Sequence, residues 1–104
     1  MKVSLAFYPE LEKPGGRIKI DTPNAGSIFL SRLDSGHYIG LSTVCTHQGC
    51  DVTSSGSGFR CPCHGSRYDA LGKNIRGPAR RPLKQFRARR DGELVVLDTA
   101  RRRS

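Results

Sequence analysis

The chain predicts an all-β fold of short antiparallel strands, and three observations carry that expectation. Twelve glycines and six prolines among 104 residues cut the chain into short pieces, which favours turns and strands over long helices. Several stretches alternate polar and apolar residues at the period of a half-buried strand, and none sustains a 3.6-residue apolar period. Turn-forming residues fall between those stretches, where hairpins need them.

Val3-Ser4-Leu5-Ala6-Phe7 alternates weakly and reads as an edge strand ending before Pro9. Lys13-Pro14-Gly15-Gly16 is a turn, and Arg17-Ile18-Lys19-Ile20 is a half-buried strand. After the turn Thr22–Gly26, the stretches Ser27–Leu33 and Tyr38–Val44 form a hairpin about Asp34-Ser35-Gly36-His37, with His37 a solvated turn residue. The second strand delivers the chain to Cys45. Asp51–Gly58 is polar throughout much of its length and reads as a surface turn. Phe59-Arg60 is a short strand, Ser66-Arg67-Tyr68 leads out of the next loop, and Asp69–Gly72 turns again. Gly77-Pro78-Ala79 is a stiff loop. Leu83–Arg89 and Glu93–Leu97 make a last hairpin about Asp91-Gly92.

We expect a single domain over 1–104, with a metal-binding part at about 43–80 and a basic tail over 99–104. At 36% apolar residues and without Trp, its hydrophobic core is small, so a second source of stability is expected. Lys and Arg number 18 against 9 Asp and Glu, a formal net charge of +9, which favours acidic partners or an anionic membrane surface. The run Arg76, Arg80, Arg81, Lys84, Arg87, Arg89 and Arg90 reads first as a solvated surface and second as a docking patch for an acidic redox partner. Stacking aromatics do not interleave with these charges, so nucleic acid is not an expected partner. No apolar run reaches the length of a membrane span, and Val3–Tyr8 is too short for the core of a signal peptide.

All four cysteines and two of the three histidines fall between Cys45 and His64. The first group reads Cys45-Thr46-His47-Gln48-Gly49-Cys50 and the second Cys61-Pro62-Cys63-His64-Gly65-Ser66-Arg67-Tyr68. Thiolates and imidazoles at close spacing are ligands for a soft or borderline metal. A zinc ribbon needs Cys-x-x-Cys pairs on tight turns, whereas Cys45/Cys50 is wider and Cys61/Cys63 narrower than that. Six candidate ligands also exceed the four of a tetrahedral site. A structural zinc module or a plain disulfide pair remain the alternatives at this point.

The patterns C-T-H-x-G-C and C-P-C-H-G-S-x-Y resemble the Rieske iron–sulfur proteins, with Gly77-Pro78-Ala79 matching the family's proline loop; the resemblance covers roughly Leu30 to Leu97. It implies a small Rieske-type fold whose cluster-binding subdomain is formed by the two Cys/His loops. It further implies one [2Fe-2S] cluster, with Cys45 and Cys61 on one iron and His47 and His64 on the other. By the same resemblance, Cys50 and Cys63 form a disulfide between the loops. Ser66 donates a hydrogen bond to a cluster sulfide, and Tyr68 donates one to a ligand cysteine sulfur.

Charge counting explains what such a ligand set does. Two ferric ions, two sulfides, two thiolates and two neutral imidazoles sum to a neutral site, where four thiolates would leave it doubly negative. Accepting an electron is then easier, and such centres span about −150 to +300 mV against about −400 mV for all-cysteine plant-type ferredoxins. Ser66, Tyr68 and the loop disulfide imply the high-potential branch, in which the cluster passes single electrons from a quinol-type donor to a cytochrome-type acceptor. There a ligand histidine, His64 or His47, couples proton uptake to reduction. The alternative is a ferredoxin-like component or small subunit of a larger oxidoreductase, such as an oxygenase or an arsenite-oxidising enzyme. On either reading the chain is an electron-transfer protein or subunit rather than a free-standing enzyme. The resemblance places it in the periplasm or on the outer face of the cytoplasmic membrane, associated with a membrane complex.

Overall fold

A computed structural model describes residues 1–45, 50–63, 65–78 and 80–99. Ten strands follow in chain order: β1 Lys2–Ser4, β2 Arg17–Thr22, β3 Gly26–Arg32, β4 Tyr38–Ser42, β5 Thr53–Ser55, β6 Gly58–Arg60, β7 Arg67–Tyr68, β8 Asn74–Arg76, β9 Gln85–Asp91 and β10 Leu94–Leu97. One 3-10 turn, Pro9–Glu12, is the sole helical element among the described residues. The strands divide into a six-stranded sheet, in the order β1-β10-β9-β4-β3-β2, and a four-stranded sheet, β5-β6-β7-β8. Every pairing is antiparallel, as the run of hairpins anticipates.

The large sheet is buried on both faces where it matters. Ile28 and Leu30 of β3 join Ile18, Ile20, Phe86, Val95 and Leu97 in one core, which Leu5 and Leu11 complete. Phe29 of the same strand points the other way, into a second core with Leu41, Val52, Phe59, Tyr68 and Leu83. Alternation puts successive side chains on opposite faces, so one continuous apolar run, Ile28-Phe29-Leu30, serves both cores. The Tyr38 hydroxyl donates to the Leu11 carbonyl at 2.7 Å, which fixes the 3-10 turn over the first core. Leu11 is fully buried, although the sequence around it shows only a break at Pro9.

Two stretches depart from expectation. Asp51–Gly58 is not simply a surface turn: Thr53–Ser55 is a strand paired with Gly58–Arg60, and Val52 is buried in the second core. The strand is short and its side chains are small and polar, so alternation has nothing apolar to display after Val52. Asn74–Arg76 is also a strand, at the outer edge of the small sheet. Its Asn and Arg give no strand signal, and pairing with β7 decides the matter. His37 lies in the exposed turn, where its Nδ1 is 3.1 Å from the Ser35 hydroxyl.

Candidate metal centre

The large sheet feeds the first Cys/His loop from the end of β4. Beyond Ser42, the Thr43 amide donates to the Ser27 carbonyl at 3.2 Å and Val52 N–H donates to the Thr43 carbonyl at 2.7 Å. The loop closes through a bridge between Val44 and Asp51 and through the Cys45 amide, which donates to the Cys50 carbonyl at 2.6 Å. The Thr43 hydroxyl adds a bond to the Asp51 carboxylate at 3.1 Å. Cys45 and Cys50 are thus held across the neck of the loop. Thr46, His47, Gln48 and Gly49 lie outside the described residues.

The small sheet presents the second loop in the same manner. Strands β6 and β7 pair Arg60 with Arg67, and Cys61 N–H donates to the Ser66 carbonyl at 2.8 Å. The Gly65 amide turns back to the Cys61 carbonyl at 2.9 Å, with Gly65 at φ 77°, a region in which glycine carries no Cβ penalty. His64 lies outside the described residues, between Cys63 and Gly65. A disulfide joins Cys50 to Cys63 with their Cα atoms 6.5 Å apart, so the two loops are covalently tied.

That bond settles how the cysteines divide. The sulfurs of Cys50, Cys61 and Cys63 lie within 4.8 Å of one another, but two of them are spent in the disulfide and cannot act as thiolates. Cys45 and Cys61 stand outside the disulfide, both buried and both in the second core. The Tyr68 hydroxyl sits 3.2 Å from the Cys45 sulfur in a buried contact. Once Cys45 is a metal-bound thiolate it has no proton to give, and the tyrosine O–H is then the donor. Ser66 is fully buried one residue from Gly65. Two sequestered thiols, one with a hydroxyl aimed at its sulfur, fit an iron–sulfur ligand set.

Three neighbours hold this arrangement, and sequence reading singled out none of them. Arg17 reaches from β2 to the β5–β6 hairpin, donating from Nη1 to the Gly58 carbonyl at 2.6 Å and the Ser54 hydroxyl at 3.0 Å. Its Nη2 donates to the Ser57 carbonyl at 2.5 Å, and the guanidinium lies 4.3 Å from the Phe59 ring centroid. Burial lowers its pKa from the ordinary arginine value, yet an arginine stays charged at neutral pH. Phe59 in turn meets Phe29 at 4.9 Å between ring centroids, which locks the small sheet to the large one. Gly58 permits close approach: a Cβ there would collide with the Tyr68 carbonyl oxygen. In sequence Arg17 looks like any charged residue on an edge strand, and Gly58 like part of a turn.

The start of the proline loop borders the second Cys/His loop. Gly77 and Gly65 line one recess together with Arg60, Arg67 and Arg76, so the segment entering Pro78 lies beside the second Cys/His loop. The Gly77–Pro78 bond is cis. Ala79, the last residue of the expected motif, and the basic tail from 100 onward lie outside the described residues.

Residues 9–87 match the family model for the Rieske [2Fe-2S] domain. The chain belongs to the Rieske family. The match begins well before Leu30, taking in β2 and the turn around Leu11. As a Rieske domain it takes one [2Fe-2S] cluster, and the buried thiols fit that cofactor. The cytochrome b6-f complex iron-sulfur subunit of Chlorobaculum thiosulfatiphilum is 36% identical over 91 residues, covering 86% of this chain and 50% of that subunit. The carotenoid phi-ring synthase of Chlorobaculum tepidum is 36% identical over 98 residues, covering 92% of this chain and 15% of the synthase. Among solved structures, the cyanobacterial plasma membrane Rieske protein PetC3 from Synechocystis PCC 6803 superposes with a TM-score of 0.79 at 30% identity. That match covers 94% of this chain and 98% of the other. This Rieske chain therefore spans about half or less of the curated relatives' length, but nearly all of PetC3. Among the described residues no helix is long and apolar enough to cross a membrane.

Proposed function

We propose that this Rieske domain carries single electrons from a quinol-type donor to a cytochrome-type acceptor. Cys45 and Cys61 would hold one iron, and His47 and His64 the other. The observation that carries the reading is the division of the cysteines: Cys50–Cys63 is oxidised, while Cys45 and Cys61 stand outside the disulfide and are buried, with the Tyr68 hydroxyl against the Cys45 sulfur. When bound, the cluster supplies a reversible one-electron couple.

The chain's own residues set the conditions for that couple. Burial of Cys45 and Cys61 keeps water from the thiolates. The Tyr68 O–H, 3.2 Å from the Cys45 sulfur, would donate to it once Cys45 is a bound thiolate, and the buried Ser66 would donate to a cluster sulfide. Both donors favour the more negative state and raise the potential. The disulfide holds the two loops in one relative position through the change of charge. Similarity to b6-f complex subunits and to a plasma membrane Rieske protein supports action with a membrane complex; the outer face of the cytoplasmic membrane is the proposed location.

A second reading is a domain serving a larger oxidoreductase. It draws on the phi-ring synthase, of which a segment the length of this chain is a small part. Iron and acid-labile sulfide analysis with EPR of the reduced protein tests the first step. One [2Fe-2S] centre per chain with mixed nitrogen and sulfur ligation is expected, lost on Cys45→Ser or His64→Ala. Zinc without sulfide would refute both readings. A potential near the bottom of the Rieske range, with free thiols at Cys50 and Cys63, would favour the second.

A further inference from the structure

Three arginines stand in register across the small sheet. Arg60 of β6 is directly opposite Arg67 of β7, and Arg67 is directly opposite Arg76 of β8. Residues opposite one another share a sheet face, and like charges so placed destabilise the pair. All three side chains are exposed, and together with Gly65 and Gly77 they line a recess of about 430 Å³. Among the described residues none of the three has a carboxylate partner; the ion pair present is Arg90 with Glu12, at 3.1 Å.

The surroundings sharpen the charge. Between residues 43 and 80 there are five Lys and Arg against two carboxylates, Asp51 and Asp69. Both carboxylates are engaged in loops: Asp51 accepts from the Thr43 hydroxyl, and Asp69 accepts from the amides of Leu71 and Lys73. The row also lies next to the candidate metal centre. Arg60 precedes Cys61 and Arg67 follows Ser66.

We propose that the Arg60–Arg67–Arg76 row docks an acidic surface of the protein that exchanges electrons with this site; the inference rests on the electron-carrier reading above. Strand spacing sets the three arginine backbones over about 10 Å, a row suited to several carboxylates of a partner rather than one small oxyanion. Guanidinium groups suit that role because they pair with carboxylates in a two-pronged geometry. A partner held there lies beside the loop that carries Cys61, one of the proposed cluster ligands. Opposite charge would also speed its arrival.

The test uses the full chain with its cluster assembled and a fluorescein-labelled decaglutamate peptide as the acidic probe, followed by anisotropy at low salt. The triple variant Arg60→Gln, Arg67→Gln, Arg76→Gln should bind the peptide at least about tenfold more weakly. A charge-matched control, Lys19→Gln, Arg87→Gln, Arg89→Gln on the large sheet, should change binding by less than about threefold. Oxidation of the reduced protein by ferricyanide, an anionic oxidant, should slow more in the first variant than in the control. Equal losses in the two variants would overturn the proposal, as would displacement of the peptide by low inorganic phosphate. So would loss of binding to phosphatidylglycerol vesicles with peptide binding intact, which would make the row a lipid site. Peptide binding by wild-type protein that holds no reducible iron–sulfur centre would refute the electron-carrier reading and the redox partner with it, while leaving the acidic affinity itself standing.

Discussion

At the scale of single residues, the Tyr68 hydroxyl is the group whose effect can be stated most directly. It lies 3.2 Å from the Cys45 sulfur with both groups buried, so its hydrogen bond is unshared with bulk water and favours the more electron-rich sulfur. Taking the bond's differential value as about 1 kcal/mol, Tyr68→Phe should lower the one-electron potential by about 40 mV at 59 mV per tenfold change. Protein-film voltammetry of the two proteins checks this, and an unchanged or raised potential would remove Tyr68 from the tuning role. Ser66→Ala should shift the potential in the same direction. Both residues were legible in sequence because they stand at fixed steps after Cys61 and His64 in a motif. Arg17 was not. Its three hydrogen bonds and its ring contact join segments some forty residues apart, and nothing local distinguishes it from a solvated arginine. Arg17→Ala should cost about 1–3 kcal/mol, the range for loss of charged hydrogen bonds, and Arg17→Lys should recover only part of that because an ammonium lacks the fork. Thermal unfolding of the three proteins is the measurement.

At the scale of elements, the two loops are presented by different sheets and then tied together. Each loop has a closed neck, through Cys45 N–H to Cys50 and Cys61 N–H to Ser66, and the Cys50–Cys63 bond joins neck to tip across a sequence separation of 13. Closing a loop of about that length is worth about 3 kcal/mol. The double variant Cys50→Ser, Cys63→Ser should therefore unfold about 2–4 kcal/mol more easily and lose its visible iron–sulfur absorbance faster on dilution. Equal stability would mean that the hydrogen-bonded necks alone hold the loops. The close pass of β6 against Tyr68 supplies a further check. Gly58→Ala must push the hairpin away from the Tyr68 carbonyl at a cost of about 1–3 kcal/mol, read by chemical denaturation. Hairpins rich in Ile, Phe, Leu and Val were legible because their alternation is visible. Strands β5 and β8 were hidden because Thr53-Ser54-Ser55 and Asn74-Ile75-Arg76 have little apolar content, and pairing with β6 and β7 is what extends them.

At the scale of the whole molecule, one strand organises the division of labour. Strand β3 turns Ile28 and Leu30 to the core of the large sheet and Phe29 to the core beneath the metal centre, so the scaffold and the site share a wall. The charge excess has a similar division. Sequence shows the net charge of +9 and a basic run near the C-terminal hairpin. It does not show that Arg60, Arg67 and Arg76 meet across three strands, because register is a tertiary property. On the proposed function, these elements hold a high-potential one-electron centre on Cys45, His47, Cys61 and His64. A potentiometric titration followed by EPR measures that centre. A single one-electron transition is expected in the upper, positive part of the range of about −150 to +300 mV for centres with two histidine ligands. A transition near −400 mV, the plant-type ferredoxin value, or no EPR-active centre on reduction, would contradict it.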